Sequence, residues 1–525
     1  MKVWLTGPDD SITAAVAGRL EGCAVSHAVE EPPQGPQGID VAVYLPRRRE
    51  GRPDLAEAEA FFRAAAGVPR LVVVSSAAAH APHHHNLGYV EETYRSQASN
   101  PIAEAWREFE ERLPSGVETI VLRPAPVAAR DGGDLFSDLL SRRAAVVPLG
   151  YDPALQLLAP EDLAAAVALA VERGAGKPGV YHVAPRGAVS VRGALRLAGV
   201  RPLLLGLTGD RSGYLRHNWT VSGRKIAREL GFEPRRSSAE AVQAAYGGGG
   251  EAPEFDDFGL DTGYIAAYER TLFRFLHDLY WRIEYQGLEN VPREGGAVLT
   301  GVHRGFMPWD GVMALVGIHR ATGRIPRFLI HPCLIKPPFL ANYMTKLGGI
   351  VACQDNADWV LGRGDLLGMF PEGIHGAFTP YKTAYRLGKF GRDEYVKMAL
   401  RNGVPLVPFV TVGSAEIYPI LGRLDWKWVK RATEWLYLPL APNFPFPGLP
   451  LPSKWHTRFL EPVHVERQYG PEAADDPAVV RAISREVRAR MQAAIDEMLA
   501  RRKSIFRGSI FEESPAAGEA REGTR

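Results

Sequence analysis

The chain has 525 residues, 62 Lys and Arg against 60 Asp and Glu, a net charge of +2 and 46% hydrophobic residues. That length exceeds what one ordinary core organises, so two or three domains are expected, and the near-neutral balance gives no reason to expect a nucleic-acid partner. Cys23, Cys333 and Cys353 stand far apart without metal-ligand spacing, which suits a reduced, cytoplasmic setting. The chain opens on the strand-like Lys2–Leu5 rather than a basic-then-apolar leader, and no run of about eighteen apolar residues occurs, so no spanning helix is expected.

From residue 1 to 245, short apolar runs alternate with amphipathic stretches. Val3–Thr6, Val41–Leu45, Leu71–Ser75 and Thr119–Leu122 read as strands, and Leu55–Ala66 and Ile102–Leu113 as helices. The alternation predicts a doubly wound parallel sheet, so the fold class is α/β. Thr6-Gly7 after the first strand, Ser75-Ser76, Leu122-Arg123-Pro124, Pro160-Glu161-Asp162-Leu163 and Lys225–Gly231 resemble the extended short-chain dehydrogenase/NAD-dependent epimerase family. That resemblance implies a Rossmann-like fold and makes Gly7 the candidate cofactor-binding residue. The chemistry does not follow it. A dinucleotide fingerprint needs glycines where the backbone meets the pyrophosphate, and the positions after Gly7 are Asp10 and Thr13. The family's Tyr with Lys four residues on is absent too, since Tyr94 is followed by Ala98. A degenerate domain without NAD(P) chemistry is expected, with weak nucleotide binding, docking or a structural role left open. His80, His83, His84 and His85 sit among Ala and Pro without a Cys or carboxylate at ligand spacing, which reads as a solvated loop rather than a metal site.

Residues 246–262, with Gly247–Gly250 and Glu251–Glu254, read as a linker. Beyond it Tyr264, Tyr268, Leu272, Leu276, Leu279 and Ile283 recur at helical spacing, either on a core or as an interface-seeking helix at lipid. Ala297–Val302 reads as a buried strand that delivers His303 at its end; Pro308 is placed to open a helix with Asp310 in its first turn. A His and an Asp meeting across such a loop are the parts of a general base and its orienter.

The order of motifs sharpens this. His303 and Asp310 are followed by Leu347–Val351, then Phe370-Pro371-Glu372-Gly373, then Gly403–Pro408, with Gly376–Lys382 and Tyr385–Gly391 between. The succession resembles the four blocks of the lysophospholipid/glycerolipid acyltransferase superfamily, over roughly Phe255 to Arg507. The resemblance implies an acyltransferase domain over residues 263–508, acyl-CoA or acyl-ACP as donor, a lipid hydroxyl as acceptor, a membrane surface as partner and no required cofactor. It makes His303 the general base and Asp310 its orienter, and Gly349, Gln354, Phe370, Pro371, Glu372, Gly373 and Lys382 substrate-binding. Glu372 would bond acceptor hydroxyls or orient the loop that does. The oxyanion donor would be an N–H near Gly305 or Gly373. Lys382, Arg386 and Lys389 would meet phosphate or coenzyme A, or form a solvated face. Two features depart from the family: six residues rather than the commonest four separate His303 from Asp310, and Gln354 stands where an Arg usually meets the acceptor phosphate. A neutral amide binds phosphate poorly, so a phosphate-free acceptor gains weight.

Trp426-Lys-Trp-Val-Lys-Arg431, Trp435–Pro439, Phe444–Phe446 and Leu449–Leu451 are tryptophans and broken apolar runs beside cations, read as a membrane-contact surface or a buried loop. Val480, Ile483, Val487, Met491, Ala494 and Met498 mark one face of a last helix, and residues 509–525 are expected to be a disordered tail. The leading reading is a peripheral acyltransferase at the inner face of the membrane. The alternatives are a bifunctional protein with a working reductase or epimerase domain, and a non-catalytic lipid-binding scaffold.

Overall fold

The apolar runs of the first half form one parallel sheet of six strands: β1 (Val3–Thr6), β2 (Ala24–Ser26), β3 (Val41–Tyr44), β4 (Arg70–Val74), β5 (Glu118–Pro124) and β6 (Gly179–Val183). The computed structural model describes residues 1–20, 24–26, 38–86, 89–96, 98–206, 210–247, 255–256, 258–391, 393–443 and 450–511. Cys23, the linker residues 248–254, the run 444–449 and the tail from residue 512 lie outside the described residues. The chain divides into two compact units, one of Met1–Gly263 with Leu334–Leu347, the other of Tyr264–Cys333 with Gly348–Arg525.

In the first unit the strands lie in the order β6-β5-β4-β3-β1-β2, all parallel, so the winding reverses between β1 and β3. Alternate residues feed two cores. Trp4, Tyr44 and Val73 face Phe61 and Phe62 of α2 (Leu55–Ala64) and Trp106 and Phe109 of α3 (Pro101–Glu111). Leu5, Val43 and Val72 face Ile12 and Val16 of α1 (Ser11–Arg19) and Leu163 and Val167 of α4 (Pro160–Arg173). Covering both faces is what a parallel sheet requires. This is the Rossmann-like architecture expected from the alternation.

The second unit holds a seven-stranded mixed sheet: β7 (Glu284–Gln286), β8 (Ala297–Thr300), β9 (Arg327–Ile330), β10 (Ile350–Val351), β11 (Leu366–Met369), β12 (Leu406–Val412) and β13 (His456–Phe459), in the order β7-β13-β12-β8-β11-β9-β10. β8 is central and runs parallel to both neighbours, with Val298 opposite Leu367 and Leu406; only β13 and β7 run the other way. The helices α5 (Trp309–Thr322), α6 (Gln354–Gly362), α7 (Glu394–Asn402) and α8 (Pro477–Arg501) accompany the strands. α8 buries the stripe from Val480 to Met498 that its spacing predicts. The aromatic segment after residue 262 is divided between core and surface. Phe273, Leu276, Trp281 and Ile283 are buried, Trp281 stacking on Trp455 at 4.4 Å, while Leu272, Phe275 and Leu279 face solvent. No helix among the described residues is long and apolar enough to cross a membrane.

One expectation is overturned in the first unit: His80 and His84 are not solvated but buried. The neighbouring Ala and Pro pack inward, and His80 Nε2 lies 2.9 Å from His182 Nε2 on β6, so the two rings share one hydrogen. Burial, with Arg123 and Arg107 nearby, pushes His80 down to about 3, and burial beside His80 pushes His182 down as well. The unfolded chain, titrating near 6.5, therefore takes these protons first. Stability is fully present above pH 6.5 and is lost as the pH falls toward 3. Urea denaturation between neutrality and about pH 5 is expected to show a decline of up to about 1.4 kcal/mol per pH unit for each such histidine. His80→Gln should make the slope shallower; an unchanged slope would remove His80 from this account.

Candidate active site

β8 ends at Thr300, and the N–H of Gly301 still donates to the Met369 carbonyl (2.9 Å), so the chain leaves the sheet beside the end of β11. Glycine is required there: a Cβ on Gly301 would lie 2.2 Å from Phe409 Cζ and 2.8 Å from Phe370 Cε1. His303 follows in the loop. Its Nδ1 lies 2.8 and 2.9 Å from the two oxygens of Asp310, which sits in the first turn of α5 and is fully buried. The same carboxylate accepts the N–H of Arg304 (2.7 Å) and of Gly311 (2.9 Å). A carboxylate that receives two backbone donors is held as an acceptor, so Nδ1 of His303 is the donor, an arrangement that in the neutral ring leaves the lone pair on Nε2.

Six intervening residues meet this geometry through a left-handed bulge. Gly305 has φ 78° and Phe306 φ 61°, and a Cβ on Gly305 would lie 2.3 Å from the Ser414 carbonyl oxygen. Phe306 is a bulky residue in a conformation that costs about 1–3 kcal/mol. It is held there by Phe378 (5.2 Å), Tyr418 (5.1 Å) and Trp435 (4.9 Å) around its ring.

Phe370–Gly373 follow β11, the neighbour of β8. The Phe370 ring stands 5.1 Å from that of His303 and stacks on Phe328 at 5.6 Å. Glu372 is not free. Its Oε2 accepts Arg304 Nη1 (2.7 Å), and its Oε1 accepts Arg304 Nη2 (3.1 Å) and the N–H of Gly388 (2.7 Å). The Arg304 guanidinium also donates to the carbonyls of His303 (2.7 Å), Arg386 (3.4 Å) and Ala384, and only 1% of the residue is exposed. One buried fork thus ties the His303 loop to the Phe370–Gly373 turn and to residues 384–388.

Arg304 is the residue sequence reasoning missed. Its signal was an arginine inside an otherwise apolar and glycine-rich corner, with Glu372 waiting in the next motif. A fully buried charge needs such a partner.

The other expected residues make no hydrogen bond to the His303–Asp310 pair or to the Arg304 fork among the described residues. Gly349 leads into β10, the edge strand three places from β8, about 14 Å away at ordinary strand spacing. Gln354 opens α6, with its Nε2 on Asp358 (2.7 Å). Lys382 is exposed in a short turn, and Pro371 accepts the Gly391 N–H (2.9 Å). Gly7 lies in the first unit, packed against Thr13, whose Oγ1 a Cβ would meet at 2.8 Å; Asp10 caps α1 by accepting the Thr13 N–H (2.8 Å).

A family model described as Acyltransferase matches residues 282–412, the span that holds His303, Asp310 and Phe370–Gly373. Uncharacterized proteins of Mycobacterium tuberculosis and Mycobacterium bovis are 37% identical over 259 residues, 48% of this chain and 72% of theirs. The chain belongs to the acyltransferase family. A Mycobacterium leprae relative, also uncharacterized, shares 37% identity over 70% of its length. The first half is similar in fold to the human epimerase family protein SDR39U1 with NADPH (18% identity, 47% of this chain, 99% of that one, TM-score 0.40). It is likewise similar to a UDP-glucuronic acid 4-epimerase from Bacillus cereus (15%, 47%, 98%, TM-score 0.39).

Within the acyltransferase unit, Arg304→Met strands Glu372 without its counter-charge. It is expected to cost about 3–5 kcal/mol in chemical denaturation. Glu372→Gln should cost a similar amount, because it strands a guanidinium that cannot shed its charge and turns an amide NH2 toward one of its donors. A native-like midpoint for Arg304→Met would contradict the clamp.

Proposed function

We propose that the second unit transfers a fatty acyl group from an acyl-CoA or acyl-ACP thioester to the hydroxyl of a glycerolipid or lysophospholipid-type acceptor. The observation that carries this is the His303–Asp310 pair, with Nδ1 held by a buried carboxylate and Nε2 left as the base. As the acceptor oxygen attacks the thioester carbonyl, Nε2 takes the hydroxyl proton. The tetrahedral oxyanion collapses, the carbon–sulfur bond breaks, and the proton passes from Nε2 to the leaving thiolate. No acyl-enzyme is required. Burial pushes the Cys353 thiol up to about 11, which makes it a poor nucleophile.

For the oxyanion, the N–H of Gly373 is already spent on the Phe370 carbonyl (2.8 Å), whereas the amides of Gly305 and Phe306 have no acceptor among the described residues. The left-handed bulge is therefore the favoured donor. Glu372, engaged by Arg304, acts by holding the loop rather than by meeting the acceptor. Gln354 in place of a guanidinium supports an acceptor without phosphate at that point. The exposed Lys382, Arg386 and Lys389 are the cations offered to a coenzyme A phosphate.

The first unit is given no hydride chemistry. Helix N-termini attract anions, and that of α1 is already capped by the Asp10 carboxylate, whose charge would repel a pyrophosphate. The residues present do not fit a dinucleotide.

The test is thiol release from long-chain acyl-CoA with lysophosphatidate, lysophosphatidylcholine, monoacylglycerol and diacylglycerol as parallel acceptors. Acceptor-dependent release is expected, and His303→Ala should lower it about 10²–10⁴-fold. Release untouched by that change would remove His303 from the chemistry.

A further inference from the structure

Past the catalytic loop, the antiparallel strands Gly422–Leu424 and Leu438–Leu440 carry the helix Lys427–Thr433 between them. That helix buries a single residue, Val429. Leu421 is 70% exposed, Trp428 67% and Trp426 46%, and the two indoles stack in solvent at 5.9 Å. Large apolar side chains grouped on an outer surface mark a contact site. Tyr381 adjoins them, because its N–H donates to the Ile420 carbonyl (3.0 Å). The rim is cationic. Arg423, Lys427, Lys430, Arg431 and Lys382 stand against Asp425 and Glu434, five positive charges to two negative.

We propose that Leu421–Leu440, with Tyr381 and Lys382 beside it, is the surface by which this protein seats on a bilayer containing anionic lipid. Two features favour a bilayer over a protein partner. Tryptophan with one polar edge settles at the lipid–water boundary. Lysine, which the centres of protein–protein interfaces avoid, here flanks the indoles, where it meets lipid phosphate while its alkyl stem lies along the apolar layer.

The same segment reaches the active site. Its Trp435 packs edge-on to Phe306 at 4.9 Å, and Phe306 is three residues from His303. Seating therefore sets the catalytic loop against lipid. Bilayer binding stands without acyl transfer; only its consequence, that the acceptor is drawn from the bilayer, rests on the proposed function.

The test is cosedimentation of the full chain with vesicles of equal parts phosphatidylglycerol and phosphatidylcholine, and with phosphatidylcholine alone. Native protein should bind the mixed vesicles about tenfold more tightly than the neutral ones. Trp426→Ala/Trp428→Ala should lose at least that factor on mixed vesicles with its unfolding midpoint unchanged, both side chains being exposed. Lys427→Glu/Arg431→Glu should lower binding to the mixed vesicles alone. His303→Ala should bind as the native chain does; native protein that binds through its indoles yet releases no thiol with any acceptor would sink the acyl-transfer reading and keep the surface. Failure of the native chain to bind, or full binding by the tryptophan variant, would overturn the proposal. So would self-association without vesicles that the tryptophan variant abolishes, which would assign the face to a second copy of the chain.

Discussion

A guanidinium sealed from water must find partners for five donors and one charge, and the geometry around Arg304 follows from that demand. Glu372 supplies the opposite charge, and the His303, Ala384 and Arg386 carbonyls take the remaining hydrogens. The four acceptors lie on three segments, so satisfying one side chain fixes all three at once. The third, residues 384–388, is braced from its far side: Arg488 donates to the Gly388 carbonyl (2.8 Å), and Gln492 of α8 accepts the Leu387 N–H (2.8 Å). Behind it Tyr385 donates to Glu416 (2.5 Å), which also pairs with Arg502. Burial and that carboxylate hold the Tyr385 hydroxyl well above its ordinary range, so it stays a donor. A helix nearly two hundred residues downstream thereby supports the loop that carries the base.

The bulge at Gly305–Phe306 works in the opposite sense, as strain that packing must hold down. Gly305 is forced by the Ser414 carbonyl, and Phe306 tolerates its left-handed backbone because three aromatic rings surround its own. The two extra residues between His and Asp are absorbed there. The result is a pair with unhindered hydrogen-bond geometry and two backbone amides turned out of regular structure.

Much of this was legible in the sequence because it depends on local chemistry. Short, continuous, Val-rich apolar runs marked the strands, and an Asp in the first turn of a helix after Pro308 marked the carboxylate that meets His303. What escaped depends on long-range pairing. Glu372 could be read as a substrate ligand or as a loop holder, and its pairing with Arg304, sixty-eight residues away, is not announced by anything local. His80 among alanines looked exposed, since nothing nearby announces His182 on a strand a hundred residues later. The segment at Leu334–Leu347 gives no composition signal that it clusters with the first unit rather than with its sequence neighbours.

In the first unit the chain itself occupies the start of its first helix. A parallel sheet with its winding reversed between β1 and β3 leaves a crevice at the strand ends, where ligands commonly bind. What such a site must offer an anion is a bare helix N-terminus. Here Asp10 fills that place from within the chain, taking the Thr13 N–H that a phosphate would otherwise attract. Its carboxyl is held above the usual range because burial outweighs its hydrogen bonds to Thr13 and the pull of Arg48. Gly7 leaves room for Thr13 and Leu45, whose side chains a Cβ there would meet at 2.8 and 3.1 Å. Asp10 and Gly7 thus close this turn from within the chain, the one by its hydrogen bond to Thr13 and the other by packing on the same residue.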